Sequence, residues 1–326
     1  MSPLASNSTA PRVSIVIPSY KTANLIAACL NSVFAQTYQD FEAIVVNDGS
    51  PDTPELERVL QPYMDRIVYI KQENKRAAGA RNNAIRHARG EFLAFLDSDD
   101  TWFPNHLASQ MKLIADNPSF DLVYANARIV GNPGHEWDFM DRCPSNGPAT
   151  FDSLIVERCQ IPVSTVVLRK QKALEAGGFD ETLLRCDDYE MWTRCAFYGA
   201  KIAYNRTIQA NLLIGRPGSL SQSRAGMMQA YWNILEKFRT TLALKDSDRE
   251  IVTKRSAEIR AFYLLEEGKS KLADRDFAQA KLLFSEANQH LRRSSLSLTV
   301  LGLGLAPGPT GMLLSLWRRI RTGASA

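Results

Sequence analysis

Between Val13 and Tyr204 the chain alternates short β-branched runs with longer stretches of helical spacing, which restricts it to a sheet of mainly parallel strands covered by helices. Val13-Ser14-Ile15-Val16-Ile17 is the first expected strand, with Pro18 as its stop. The helix after it places Leu25, Ile26, Cys29, Leu30 and Val33 on one face. Phe41 to Val46, Ile67 to Ile70 and Phe92 to Leu96 are the next three strands. Ser19-Tyr20, Asn47-Asp48-Gly49-Ser50, Glu73-Asn74 and Asp97-Ser98-Asp99-Asp100 follow them. One edge of the sheet therefore collects the polar residues, and in an open α/β sheet that edge is the ligand crevice.

Beyond Asp100 the pattern loosens. A helix is expected near Asn105 to Ala115, strands at Leu122-Val123-Tyr124 and Val163 to Leu168, a loop from Gly131 to Pro148, and a helix from about Asp188 to Tyr198. Arg216-Pro217-Gly218-Ser219 has strong turn character and closes the region. From Ala225 the chain turns helical, and Phe262 to His290 resembles one tetratricopeptide-like helix pair. Ser294 to Trp317 is uncharged, with Arg292-Arg293 before it and Arg318-Arg319-Arg321 after it. Ala306 to Gly311 interrupts this stretch with prolines and glycines, so it reads as a membrane-associating hairpin or as a hairpin buried on the protein, and not as a span. The expected divisions are a disordered tail at 1–11, a catalytic-type domain at 12–224, a helical extension at 225–293 and the apolar, basic tail at 294–326.

Composition narrows the classes. Over 326 residues the net charge is only +4, and arginines do not interleave with aromatics in a stripe, so nucleic acid is not an expected partner. Five cysteines without a Cys-x-x-Cys pair suggest neither a disulfide framework nor a zinc site, and a reducing cytoplasmic setting fits them. Met1 to Pro11 lack the basic and apolar regions of a signal peptide.

The carboxylates carry the chemistry. Asp97 and Asp99, separated by one residue, can both reach a hard cation and the phosphates bound to it, since Mg²⁺ takes one or two carboxylates and fills its remaining positions with water and phosphate oxygens. The competing reading has Asp100 capping the next helix and its neighbours solvated. Asn47-Asp48-Gly49-Ser50 can offer a carboxylate to a base edge or ribose, or it can be a plain turn. Near Asp188, one aspartate can serve as an N-cap and Glu190 can pair with Arg194.

Taken together, Val16-Ile17-Pro18-Ser19-Tyr20, Val46-Asn47-Asp48-Gly49-Ser50, Ala80-Arg81-Asn82, Phe95-Leu96-Asp97-Ser98-Asp99-Asp100, Gly177-Gly178-Phe179-Asp180, Asp187-Asp188-Tyr189-Glu190 and Pro217-Gly218-Ser219-Leu220-Ser221 resemble the family 2 glycosyltransferases of the GT-A fold. The resemblance covers about Val13 to Ser221 and implies an α/β fold, a GT-A-type Rossmann-like mixed sheet flanked by helices, here with a C-terminal helical extension. It implies nucleotide contacts at Pro18, Ser19, Tyr20, Asp48, Arg81 and Asp97, a Mg²⁺ or Mn²⁺ ligand at Asp99, and a catalytic base at Asp188, with Asp187 and Arg216 as phosphate or acceptor contacts. Asn74 is followed by Lys75-Arg76 where the family has small residues, and Asp187 stands where it has glutamate. Arg216 stands where many members carry histidine, and an arginine pairs with phosphate but does not ligate metal.

The resemblance implies inverting transfer of a sugar from a nucleotide diphosphate donor, UDP-linked, to the hydroxyl of a carbohydrate or glycolipid acceptor in cell-surface polymer synthesis. The expected location is cytoplasmic or peripheral at the inner face of the plasma membrane. A sugar nucleotidyltransferase would need a glycine-rich basic loop after the first strand, and Pro18-Ser19-Tyr20-Lys21 is not one. A non-catalytic nucleotide-binding scaffold at a membrane would have no need to keep Asp97, Asp99 and Asp188 together.

Overall fold

Alternation along the strands decides which side chains the two layers of helices cover. A computed structural model describes residues 10–131, 134, 136–216 and 223–311. The chain forms two compact units, 1–219 and 220–326. The strands of the first are β1 (Val13–Ser19), β2 (Phe41–Asp48), β3 (Ile67–Gln72), β4 (Phe92–Phe95), β5 (Thr101–Trp102), β6 (Leu122–Val130), β7 (Trp137–Asp138), β8 (Val167–Arg169) and β9 (Ile202–Leu213). Its helices are α1 (Ile26–Phe34), α2 (Thr53–Leu60), α3 (Arg76–His87), α4 (His106–Asp116), α5 (Phe139–Arg142), α6 (Phe151–Ile155), α7 (Lys170–Glu175) and α8 (Asp187–Phe197).

The sheet order is β3-β2-β1-β4-β8-β6-β9-β5, with β7 beside β6. The first four strands are parallel, β8 runs antiparallel to β4 and β6, and β9 is parallel to β6. Val13, Ile15 and Ile17 pack on one face with Ile26, Leu30 and Val33 of α1 and Leu107 of α4. Val16, Ile44, Val46 and Phe95 point to the other, against Ala80 and Ala84 of α3 and Trp192 of α8. This period-2 division is what a sheet buried on both sides requires.

The parallel half follows the sequence pattern, with one difference. β1 continues through Pro18 to Ser19, because its pairing with β4 ends at Val16 while that with β2 continues. Pro18 thus lies where one side of β1 has no ladder needing an N–H. The other half departs more. Val163–Thr165 is a 3₁₀ turn leading into β8, and the expected loop after Gly131 contains β7 and α5. A further long strand, β9, runs from Ile202 to Leu213, held along β6 and, near its end, by β5.

The second unit comprises α9 (Arg224–Thr241), α10 (Asp246–Ala273), α11 (Phe277–Leu291) and α12 (Ser294–Leu305). The tetratricopeptide-like spacing corresponds to α10 and α11, whose contact is close enough that a Cβ on Gly268 would meet the Phe284 ring at 2.5 Å. Leu264, Ala280, Phe284 and Ala287 form its core with Leu296 and Leu303 of α12. Among the described residues no helix is long and apolar enough to cross a membrane. Residues 1–9 of the expected N-terminal tail, Pro217 to Ser221, and 312–326 of the expected hairpin lie outside the described residues.

Candidate active site

The C-terminal ends of β1, β2 and β4 meet at one edge, and hydroxyl groups join their loops. Ser19 Oγ lies 2.9 Å from Thr22 Oγ1, which lies 2.9 Å from Ser98 Oγ, so the loop after β1 is pinned to the loop carrying Asp97 and Asp99. Pro18 and Ser19 end β1, Ser19 is buried, and Tyr20 presents an exposed ring beside the Lys21 ammonium. At the end of β2, Asp48 is buried, and its Oδ1 accepts hydrogen bonds from Gln72 Nε2 and the Lys75 backbone N–H, both at 2.7 Å. Gly49 adopts φ +62°, and a Cβ there would meet the Asn74 nitrogen at 2.6 Å, so only glycine allows this approach. The Asp-Gly pair is a turn and also the device that orients Asp48.

Arg81 of α3 is the centre of the site. Its side chain is 5% exposed; Nη2 donates to Asp97 Oδ1 and Nη1 to Asp187 Oδ2, both at 2.6 Å. One planar guanidinium thereby ties the loop after β4 to the start of α8. It also lies 5.4 Å from the Phe179 ring centroid. Asn82 holds the Phe179 segment, accepting from the Phe179 N–H and donating to its carbonyl, each at 2.8 Å. Burial disfavours the charge of Arg81, but Asp97, Asp187 and Asp188 outweigh it and raise its pKa.

Asp188 follows in the first turn of α8. The turn is aimed by Cys186, which caps the helix with φ 59°, a conformation unusual for a side chain with a Cβ and often kept at functional sites. Burial pushes the Asp188 carboxyl up to about 6, and the Asp187 charge adds to this while Arg81 opposes it. A carboxyl group poised near neutrality and still ionised at pH 7 suits proton abstraction. Glu190 is taken up by Arg194 in a buried pair, and Trp192 is a core residue.

Asp99 pairs with Arg216, Nη2 to Oδ2 at 3.2 Å, and Arg216 Nη1 donates to the Lys21 carbonyl at 2.8 Å. Asp100 does not cap α4, whose first turn is preceded by Asn105; it is buried, accepting from the Leu213 N–H at 2.8 Å and from Ser164 Oγ at 2.5 Å. Burial and the charge of Asp97 raise both the Asp99 and the Asp100 carboxyls above the ordinary carboxylate range. Among the described residues the cluster sets Asp97, Asp99, Asp100, Asp187 and Asp188 against the guanidiniums of Arg81 and Arg216.

That surplus of negative charge is what a divalent cation would relieve. Among the described residues no three His, Cys, Asp or Glu side chains are placed to hold a metal by themselves. One or two carboxylates suffice for Mg²⁺ or Mn²⁺ when a diphosphate supplies further oxygens, so Asp99, with Asp97 beside it, fits a cation shared with a ligand.

The residues singled out from sequence divide accordingly. Arg81, Asp97 and Asp187 form one ion-pair group with Asp188 within its field, Asp99 and Arg216 form a second beside it, and Ser19 joins them through Thr22 and Ser98. Asp48 stands at the neighbouring strand end with Lys75 next to it. Ser164, the Leu213 N–H and the Thr22 hydroxyl were not foreseen, because they come from segments with no chemical signature of their own.

The class this defines is a ligand-handling α/β protein: a buried arginine joins two acidic loops at the open edge of a mixed sheet, the edge at which such folds bind their ligands. Comparison with known proteins narrows it. The family described as Glycosyl transferase family 2 matches residues 14–174. An Escherichia coli protein, UDP-Glc:alpha-D-GlcNAc-diphosphoundecaprenol beta-1,3-glucosyltransferase WfgD, is 31% identical over 227 residues, 69% of this chain and 86% of that protein. The Amylovoran biosynthesis glycosyltransferase AmsB of Erwinia amylovora is 27% identical over 290 residues, 85% of this chain and 92% of that protein. An uncharacterized glycosyltransferase of Rickettsia conorii is 32% identical over 199 residues, 60% of this chain, and the match spans only 33% of that longer protein. Among solved structures, Staphylococcus aureus TarS 1–349 in complex with UDP has a TM-score of 0.60 at 17% identity, covering 89% of this chain and 90% of that one. The mannosyltransferase PcManGT of Pyrobaculum calidifontis, in complex with GDP-Man and Mn²⁺, has a TM-score of 0.60 at 21% identity, covering 96% and 89%. The chain belongs to glycosyltransferase family 2, and its fold is that of the GT-A enzymes.

Proposed function

We propose that this glycosyltransferase is inverting and transfers a sugar from a UDP-linked donor to a hydroxyl of a carbohydrate or glycolipid acceptor in cell-surface polysaccharide or glycolipid synthesis. The observation that carries the reading is the Arg81 bridge, which sets the Asp188 carboxyl beside the Asp97 and Asp99 loop. The names of two similar proteins, WfgD and the TarS complex, support UDP; the diphosphoundecaprenol-linked acceptor in the name of WfgD and the amylovoran biosynthesis in that of AmsB support a role in glycolipid or polysaccharide synthesis.

In this reading Pro18, Ser19, Tyr20 and Asp48 hold the nucleoside. Asp188 takes the proton from the acceptor hydroxyl as its oxygen bonds to the anomeric carbon, and the bond to the nucleoside diphosphate breaks on the opposite side. A single displacement of this kind inverts the anomeric centre. A Mg²⁺ or Mn²⁺ ion at Asp99 would neutralise charge on the diphosphate leaving group. Arg81 holds Asp97 and Asp187 in register, and Asp187 in turn fixes the start of the helix that bears Asp188.

Hydrolysis of a panel of nucleotide sugars with Mn²⁺ tests the assignment without knowledge of the acceptor. One UDP-sugar should turn over slowly and the others not; turnover confined to GDP- or dTDP-sugars would overturn the UDP assignment. The pH profile tests the base. With the Asp188 carboxyl at about 6, kcat/KM should be level above that pH and fall about tenfold per unit below it, as protonation removes the base. A profile level down to pH 4 would exclude Asp188 from that role.

Arg216 has a separate signature. It pairs with Asp99, and a cation at Asp99 would compete with that pair and release Arg216 towards the diphosphate. Arg216→Gln should therefore bind Mn²⁺ more tightly in the absence of nucleotide, by electron paramagnetic resonance titration. The same variant should bind UDP about tenfold more weakly by calorimetry, the effect of losing one charge-assisted contact. Unchanged Mn²⁺ affinity would show that the Asp99 pair does not compete with the ion.

A further inference from the structure

Helix α12 carries apolar residues on two opposite sides. Leu296 and Leu303 are 8% and 3% exposed against Phe284, Ala280 and Ala287, with Val300 beside them. The α-helical turn places Leu298, Leu301 and Leu305 on the reverse side, and they are 69%, 58% and 80% exposed. A helix at the surface of a water-facing unit normally presents charge on that side. α12 has no charged residue, and serine, threonine and glycine fill the rest of its length.

Positive charge stands near both ends of this stripe. Arg292 and Arg293 precede the helix, and Lys281 of α11 reaches alongside Gly304, its Nζ 3.1 Å from where a Cβ would stand. After Glu286 the sequence contains no aspartate or glutamate, but it does contain Arg292, Arg293, Arg318, Arg319 and Arg321. A protein partner would account for the leucines and leave the missing acids unexplained. An anionic lipid surface accounts for both, the acyl boundary taking the leucines and the headgroups the cations. With 12 residues, α12 is about 18 Å long, too short to cross a bilayer and sufficient to lie along its surface.

We propose that α12 docks the protein on an anionic membrane surface, with Leu298, Leu301 and Leu305 in the headgroup–acyl boundary and Arg292, Arg293 and Lys281 at the headgroups. The inference rests on α12 and its surroundings, and holds whether or not the acceptor is lipid-linked.

The test is co-sedimentation of the full chain with phosphatidylglycerol-containing vesicles and with phosphatidylcholine vesicles, beside the double variant Leu298→Glu/Leu301→Glu. The full chain should bind the anionic vesicles, less at high salt, and bind phosphatidylcholine weakly. The double variant should bind at least about tenfold more weakly, the cost of placing charge on the inserted face. Its melting temperature and its donor hydrolysis in solution should match the wild type, which separates this result from any failure of the catalytic reading. Absence of vesicle binding, or equal binding by the variant, overturns the proposal. A variant that melts early would assign the stripe to cover by the rest of the chain. Loss of a concentration-dependent dimer in the variant would assign it to a second copy.

Discussion

Asp188→Asn should lower kcat by about 10²–10⁴-fold, the usual contribution of a positioned general base, with donor binding little changed. The substitution keeps the size and the first-turn position of the side chain and removes only its ability to take a proton. Stability should move in the opposite direction. The folded-state carboxyl lies at about 6 against an ordinary 3.8, so the folded protein gains from protonating Asp188 below 3.8 and loses that advantage as pH rises through 6. The Asn variant has no such charge to bury. Its melting temperature should therefore equal that of the wild type at pH 4 and exceed it at pH 7. Differential scanning calorimetry at the two pH values, beside single-turnover kinetics, reads both effects. A variant that is less stable at pH 7 would make Asp188 a structural ion-pair partner and remove the reason for calling it a poised base.

What the sequence disclosed about this site follows from how local each feature is. β1, β2 and β4 are runs in which burial on both faces shows directly as Val, Ile, Leu and Phe, β3 is the half-buried edge strand beside them, and each of the four ends in its own polar loop, so the parallel half and the acidic edge were legible. Asp97 and Asp99 were conspicuous for the same reason, being charges set against an apolar run. The Arg81 pairs are different in kind. They join residues 16 and 106 positions apart, and nothing in Ala80-Arg81-Asn82 shows that this arginine is buried between two carboxylates. The pairing of β6 with β9 is likewise non-local and carries a register shift at Asn126, so the length of β9 could not be read from its residues alone. Asp100 shows the limit of local chemistry. Its position before a helix suggests a cap, and the contacts it makes come from Ser164 and Leu213.

Arg81→Met should be the most destabilising single change at the site, by about 3–5 kcal/mol, because it leaves two carboxylates that had shared one buried cation. Asp97 is 32% exposed, so water can reach it and draws the value towards the lower end; Asp187, at 13%, has less recourse. Activity at temperatures well below melting should fall about 10²-fold, since the start of α8 would no longer be held against the loop after β4. Arg81→Lys should recover little, because one ammonium cannot supply two parallel arms to carboxylates on opposite sides. The decisive comparison is the double variant Arg81→Met/Asp187→Asn. Removing one of the stranded charges should make it more stable than Arg81→Met alone, although each single change is destabilising, and urea unfolding of the four proteins gives that coupling directly. Additive losses would mean that Arg81 and Asp187 do not act as a pair.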